Sequence, residues 1–116
     1  MALVSTTHKV IQESRLYSRG TRTGTRTAAD FTITLGFTPT RIRVVNLTDR
    51  IEADHQVAAE LDGSSNAKSL VTIAAGTRTY AAAGISLTSD GKGFTVDVSV
   101  ASLETDDDDV LWEAWG

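Results

Sequence analysis

The sequence predicts an all-β protein, built as an antiparallel β-sandwich or jelly-roll-like single domain with an N-terminal arm. Two observations carry this prediction. Apolar and polar residues alternate with a period of two over several segments, which is the period of a strand with one buried face. These segments are rich in β-branched and aromatic residues, and clusters of turn-forming glycine, asparagine, aspartate and serine separate them.

The clearest alternation covers residues 31–47, which contain two apolar runs on either side of a turn. The residues predicted to face inward are Phe31, Ile33, Leu35, Ile42 and Val44. Threonines occupy the outward positions of the first run, and Arg41 and Arg43 occupy those of the second. Gly36 and Pro39 would interrupt ladder pairing between the runs. We therefore expect two strands of one antiparallel sheet, joined as a hairpin.

Further strands are predicted from the same alternation and from short apolar runs. They cover residues 51–57, 69–73, 77–80, 85–88, 94–100 and 110–115. Residues 89–93 include two glycines, which can adopt the positive φ of a hairpin loop, so we expect the flanking strands to pair. Residues 62–66 form a polar cluster that is typical of a loop.

The composition fits one domain and excludes several classes of chemistry. The chain has 116 residues, a net charge of −4 and no cysteine. The missing cysteine excludes disulfides, cysteine-bound zinc and thiol catalysis. An acidic chain offers no overall basic field, so no nucleic-acid partner is expected. The start lacks a signal-peptide pattern and no apolar run reaches the ~20 residues of a membrane span, so we expect a protein made in a cytoplasm with no membrane partner.

The first residues differ from the rest of the chain. We predict residues 1–30 as an N-terminal arm and edge segment, and residues 31–116 as the sandwich domain. Residues 18–30 alternate threonine with arginine or glycine and offer almost nothing to bury, which is typical of an edge strand or a loop. The basic residues concentrated here are Arg15, Arg19, Arg22 and Arg26. A phosphate site is conceivable, and a solvated edge protected from pairing is the favoured interpretation.

No arrangement of residues predicts a reaction. Glu52, Asp54 and His55 could be drawn as metal ligands, but a strand places His55 on the face opposite the two carboxylates, so no metal is expected. The aspartates at 106–109 lack the spaced ligands and glycine of a calcium loop, so a solvated acidic loop is favoured. Neither a nucleophile elbow nor a phosphate-binding loop is present. We therefore expect neither enzymatic activity nor a cofactor.

Contacts with other proteins are the predicted use of the remaining features. Trp112 and Trp115 lie three residues apart, so in a strand they face opposite sides and one can contact a partner. The arginines of residues 15–26 could meet the acidic segment 104–109 of an adjacent copy or of a shell protein. The candidate contact residues are Arg15, Arg19, Arg22, Arg26, Asp106, Asp107, Asp108, Trp112 and Trp115.

Three phrases carry a resemblance to a known family. They are GFTPTRIRVVNLTDRIEA at residues 36–53, AAGTRTYAAAGISL at 74–87 and VLWEAW at 110–115. They resemble small structural proteins encoded by tailed bacteriophages. The resemblance implies a β-rich virion protein, made in the host cytoplasm and located at the capsid surface as a decoration or cement protein. Its implied partners are the major capsid protein or other virion proteins, with a homo-oligomeric state.

Two alternatives stay open at this point. The chain could be a tail, fibre or connector component of the virion, and copy number on particles would separate that role from decoration. It could also be a carbohydrate-binding module, in which an exposed Trp112 or Trp115 would stack on a sugar ring.

Overall fold

The computed structural model describes residues 16–57, 68–81 and 84–116, and over these residues the chain is all-β. This confirms the predicted fold class. The strands are β1 (Tyr17–Arg22), β2 (Phe31–Thr34), β3 (Arg41–Asn46), β4 (Ile51–Gln56), β5 (Ser69–Thr72), β6 (Arg78–Ala81), β7 (Ile85–Leu87), β8 (Gly93–Val96) and β9 (Val110–Trp115). Among the described residues, no helix is long and apolar enough to cross a membrane.

The strands form two antiparallel sheets of unequal size. The larger sheet has six strands in the order β1-β9-β3-β4-β5-β6, and the smaller has three in the order β2-β8-β7. The predicted terminal strand is confirmed as β9, which lies between β1 and β3 rather than at an edge. The prediction of an edge strand within residues 18–30 agrees with β1, which pairs along its length with β9.

The core lies between the two sheets. Alternate residues of β3 and β9 point into it, and the two sheets meet where the ring of Phe94 in β8 packs edge-on against Trp112 in β9, with ring centroids 5.7 Å apart. The buried apolar side chains are Phe31, Ile42, Val44, Ala53, Val71, Ile85, Phe94, Val96, Val98, Leu103, Val110, Trp112 and Ala114. Each large aliphatic or aromatic member contributes about 1.5–3 kcal/mol by leaving water.

The stretch 31–47 follows the predicted alternation but not the predicted pairing. β2 pairs with β8, whereas β3 pairs with β4 and β9, so the two strands belong to different sheets. The link between them contains Gly36 at φ 84 and a fully buried Pro39, and it carries the chain from one layer to the other. The expected hairpin is therefore wrong, because a period of two fixes which face is buried and leaves the pairing partner open.

The β7–β8 hairpin agrees with prediction, with one difference in length. β7 pairs with β8 across the predicted glycine loop, and β5 likewise pairs with β6. However, β8 ends at Val96, and Val100–Ser102 is a 3-10 turn rather than strand. The strand stops because the Asp97 carboxylate accepts hydrogen bonds from the backbone N–H and hydroxyl of Ser99, which is a turn-forming geometry. Arg15 and the loop predicted at 62–66 lie outside the described residues.

Candidate functional site

The outward-facing side of the larger sheet carries ion pairs and aromatic contacts between strands, and we call it the outer face. Its side chains alternate with buried residues along β3, β4, β5 and β9, and they continue onto the outward positions of β1 and β6. It consists of Tyr17, Arg19, Thr21, Arg41, Arg43, Val45, Glu52, Asp54, Gln56, Leu70, Thr72, Arg78, Tyr80, Leu111, Glu113 and Trp115. The smaller sheet packs on the opposite side, so none of the described strands covers the outer face.

Arg43 lies at the centre of the outer face and links three strands. Its Nε atom is 2.8 Å from a carboxylate oxygen of Glu52 in β4, and its Nη1 atom is 2.8 Å from one of Glu113 in β9. Hydrogen bonds from the Tyr17 hydroxyl and then from Arg43 hold the pKa of Glu113 below its usual value, although partial burial opposes them. The two carboxylates also raise the pKa of Arg43, so this group stays charged at every ordinary pH.

A second ion pair runs beside the first. Arg41 donates to both carboxylate oxygens of Asp54, with N–O distances of 2.9 and 2.8 Å. The hydrogen bonds from Arg41 lower the pKa of Asp54. Because both side chains are partly exposed, solvent screening keeps the contribution of this pair small, at about 1 kcal/mol or less. Its main effect is to hold the two side chains in one geometry.

An aromatic cluster occupies one corner of the outer face. Trp115 in β9 lies between Tyr17 in β1 and Arg41 in β3. The Tyr17 ring centroid is 5.6 Å from that of Trp115, and the Arg41 guanidinium carbon is 4.7 Å from the Trp115 ring centroid. A shallow groove of about 570 Å³ adjoins the cluster, lined by Leu16, Tyr17, Glu113, Trp115 and Gly116.

The two tryptophans face opposite sides of β9, as predicted. Trp112 is buried in the core against Phe94, and Trp115 is half-buried on the outer face. Tyr17 and Arg41 both contact Trp115 from the neighbouring strands. Of the two tryptophans, Trp115 is the one that the outer face offers to a partner, and the carbohydrate-binding alternative stays a prediction.

The predicted basic and acidic clusters meet within one chain. Arg22 and Arg26 each approach the Glu104 carboxylate to 2.8 Å. Glu104 is 3% exposed. Burial alone would raise its pKa, but the hydrogen bonds from the two arginines hold it below the usual value. Arg22 also stacks over the ring of Phe31, 4.2 Å from the ring centroid.

Two expectations for these clusters therefore need correction. The arginines at 22 and 26 are not a solvated edge, and the acidic segment is not a fully solvated loop. Asp106 and Asp107 accept hydrogen bonds of 2.7 Å from the backbone N–H groups of Ala28 and Arg26. The charge pairing expected between copies is thus made inside the chain, where it fastens residues 22–30 to the segment that precedes β9. Arg19 takes no part in it and lies exposed on the outer face.

Asp108 is the anchor of a buried polar network that the sequence pattern did not reveal. Its carboxylate accepts hydrogen bonds from Asn46 Nδ2 at 2.7 Å and from the Thr105 N–H at 2.9 Å. Burial opposes ionisation, but the hydrogen bonds from Thr105 and Asn46 lower its pKa to about 2. Asn46 also donates to the Ser102 carbonyl. The partners are 62 and 56 residues apart along the chain, so no local spacing could have signalled them.

His55 is buried, and its ring points to the side opposite Glu52 and Asp54, as predicted. Its Nδ1 atom is 2.7 Å from the Ser69 hydroxyl. Burial, with a smaller effect from the nearby Lys68 charge, lowers the pKa of His55 to about 4. Because Ser69 is only 1% exposed, this serine–histidine pair has no access for a substrate. Among the residues that the structure describes, no three histidines or carboxylates are grouped to hold a metal ion.

No family model, curated protein or solved structure matches the chain. The resemblance of its phrases to tailed-bacteriophage proteins therefore stays a prediction. What the structure adds is the outer face, whose charged and aromatic side chains are held in place by cross-strand contacts.

Proposed function

We propose that this chain is a structural virion protein of a tailed bacteriophage, most specifically a capsid decoration or cement protein. It would stabilise the head through protein–protein contacts, with the major capsid protein as the partner. The family resemblance of the sequence supports the virion assignment, and the outer face supports action by contact.

The observation that carries the proposal is the order of the outer face. Arginine, tyrosine and tryptophan, the residue types enriched in protein interfaces, occupy one open sheet surface. Cross-strand hydrogen bonds already hold Tyr17, Arg43 and Glu113 in fixed positions. Because these side chains are already held in place, binding at the outer face costs less side-chain entropy than binding at a mobile surface would. A rigid, open sheet face is suited to covering another protein surface.

Electron microscopy of particles that carry a label on this protein tests the assignment directly. Many regularly spaced copies on the head support decoration. A few copies at the tail or at the head–tail junction would instead support the tail, fibre or connector alternative, and no label on particles would refute both virion roles.

A matched pair of charge reversals tests whether the outer face makes the contact. Arg19 and Lys92 are both exposed, but Arg19 lies on the outer face and Lys92 lies in the β7–β8 hairpin loop of the smaller sheet. We expect Arg19→Glu to weaken binding to heads roughly tenfold or more, because reversing a charge at a complementary surface costs at least about 1.4 kcal/mol. Lys92→Glu should leave binding unchanged, as measured by co-sedimentation with heads. Equal effects of the two variants would exclude the outer face.

A further inference from the structure

β6 is an edge strand of the larger sheet. Within residues 16–57, 68–81 and 84–116 it lies at the end of that sheet and pairs with β5 alone. Arg78, Thr79 and Tyr80 are all exposed, although successive side chains of a strand point to opposite faces. In the part of the chain that the structure describes, β6 is therefore open on both faces as well as along its edge. A strand in this state is a template for pairing with another strand.

The register shows which backbone groups of β6 are available. At the end of the β5–β6 ladder, the Ile73 N–H donates to the Thr77 carbonyl. At the end of the β4–β5 ladder, the Gln56 N–H donates to the Lys68 carbonyl, so the Lys68 carbonyl points away from β6. Hydrogen bonding alternates along an antiparallel ladder, so Thr77, Thr79 and Ala81 direct their backbone groups towards β5. Arg78 and Tyr80 consequently direct their N–H and C=O groups away from the sheet.

We propose that β6 pairs antiparallel with β6 of a second copy, about a two-fold axis at Thr79. In this register Arg78 of each copy lies opposite Tyr80 of the other. Both are residues with outward backbone groups, so each such pair can exchange two hydrogen bonds. Thr79 then faces its own counterpart as the non-hydrogen-bonded pair. The two six-stranded sheets become one continuous sheet with an isologous interface.

The side chains are complementary in the same register. Arg78 and Tyr80 both project from the outer face, since they pair with Thr72 and Leu70 of β5. Across the axis the guanidinium of one copy meets the phenol ring of the other, a cation–π contact made twice. Tyr80 is 54% exposed in the single chain, so it has area to bury. Threonine pairs facing each other across strands add a further favourable contact.

The opposite edge of the larger sheet does not offer the same match. Gly116 N–H donates to the Leu16 carbonyl, and by alternation the outward backbone groups of β1 belong to Tyr17, Arg19 and Thr21. A β1–β1 pair that used all three would place Arg19 against Arg19 of the second copy. Like charges directly opposite each other are destabilising, which favours β6 as the edge where two copies meet.

The contact is small, so the dimer should be weak in dilute solution. A four-residue ladder buries much less than the ~800 Å² per partner of a standard interface. We expect association only at high protein concentration, or where copies are held close together. This inference does not depend on the proposed function, since it concerns the isolated chain.

Single-cysteine crosslinking provides a sharp test because the chain contains no cysteine. In the proposed register the two Thr79 Cα atoms lie about 4.5 Å apart, within the roughly 4.4–6.8 Å range of a disulfide. Thr79→Cys should form a covalent dimer under mild oxidation at high concentration. In the control Thr77→Cys, the two sulfurs start roughly 13 Å apart along the ladder and should crosslink at least tenfold more slowly. Equal rates for the two variants, or no dimer with Thr79→Cys, would overturn the proposal.

A proline variant tests the hydrogen bonds of the proposed pairing together with the Tyr80 ring contact. Tyr80→Pro removes an outward N–H and leaves the β5–β6 ladder intact, which is the edge position where proline is tolerated. We expect Thr79→Cys/Tyr80→Pro to lose the crosslink while its circular dichroism and melting stay close to those of Thr79→Cys. The matched control, Thr79→Cys/Thr32→Pro, removes an outward N–H from the edge of the smaller sheet and should crosslink normally. Loss of the crosslink in the control alone would assign the contact to β2 and refute the proposal.

Discussion

Glu104 shows how a buried charge is tolerated in this protein. Two guanidinium groups and the Ala29 N–H surround its carboxylate. A buried ion pair contributes little net stability compared with apolar packing, because removing its charges from water is costly. Breaking the pair is nevertheless strongly destabilising, because the remaining charges lose their partner. The loss of Glu104 should therefore cost more free energy of unfolding than the intact ion pairs contribute in net stability, because Arg22 and Arg26 would lose their partner.

We predict that Glu104→Gln destabilises the fold by about 2–3 kcal/mol, somewhat below the usual range for a broken buried pair because Arg22 and Arg26 keep some contact with water. Urea denaturation measures the change in the free energy of unfolding. Asp106→Asn is the control, because Asp106 is exposed and accepts only one backbone hydrogen bond, so its loss should be about 1 kcal/mol or less. A change below 0.5 kcal/mol for Glu104→Gln, on the order of a surface substitution, would contradict this role.

Because burial lowers the pKa of His55, we predict that the free energy of unfolding decreases in mild acid. Its pKa falls from 6.5 to about 4 on folding, so the unfolded chain takes up the proton first. The contribution of the neutral ring is fully present above pH 6.5 and disappears as the pH falls towards 4. At about 1.4 kcal/mol per pKa unit, the loss amounts to at most about 3.5 kcal/mol. Buried carboxylates such as Asp108, with its pKa of about 2, lose their contribution only at lower pH.

Urea denaturation at several pH values between 7 and 4.5 measures this effect. The native chain should become steadily less stable over that range. His55→Gln removes the titrating ring and retains a hydrogen-bonding side chain near Ser69, so its stability should be nearly independent of pH in the same window. A parallel decline in the variant would assign the acid sensitivity to another group.

At the scale of strands, the alternation of side chains predicted which face of each strand is buried, but it did not predict which strands pair with each other. The inward positions of β2, β3 and β8 follow directly from a period of two, and the β7–β8 hairpin follows from its glycines. The assignment of β2 and β3 to different sheets does not follow from the pattern, because the six-residue link at 35–40 permits either a hairpin or a crossing between layers. β2 finds its partner more than 60 residues later, where Phe31 lies opposite Val96.

The β2–β8 ladder depends on a glycine, and this gives a prediction at the same scale. A Cβ atom on Gly93 would lie 2.4 Å from the Ile33 carbonyl oxygen, which is backbone and cannot move aside alone. Gly93→Ala should therefore push the two strands apart and destabilise the chain by about 2 kcal/mol or more. Thermal melting measures this, with the exposed Ser86→Ala in the neighbouring strand as a control that should change little. A melting temperature within about 1 °C of the native chain for Gly93→Ala would show that the ladder adjusts freely.

For the candidate contact surface, the sequence located only part of what the structure assembles. Outward Arg41 and Arg43 and the opposed tryptophans followed from alternation. Tyr17 and Glu113 were missed as site residues, because their contact joins residues 96 apart. The basic and acidic clusters were visible as charge runs, but composition could not show that they satisfy each other within one chain.

At the scale of the whole molecule, six strands lie over three, so the layers cannot cover each other completely. β9 and β3 supply five of the seven buried apolar side chains of the larger sheet, while β6 at its end has exposed side chains on both faces. This unequal layering leaves the molecule with a rigid open face and an open edge, the two features on which the proposals of function and of self-association depend.

The position of β9 between β1 and β3 also determines when the larger sheet can be completed during synthesis of the chain. Tyr17 pairs with Trp115, so the first described strand has no neighbour in its sheet until residues 110–115 have left the ribosome. Contacts between such distant residues are slow to form, because a long loop must close before they are gained. β1 will therefore stay without its sheet partner during synthesis, whereas β3 to β6 can pair earlier, and the six-stranded sheet will be complete only after translation has passed Trp115. A chain that stops before Val110 loses the strand joining β1 to β3, so its product should be a target for proteases rather than a shortened version of the same fold.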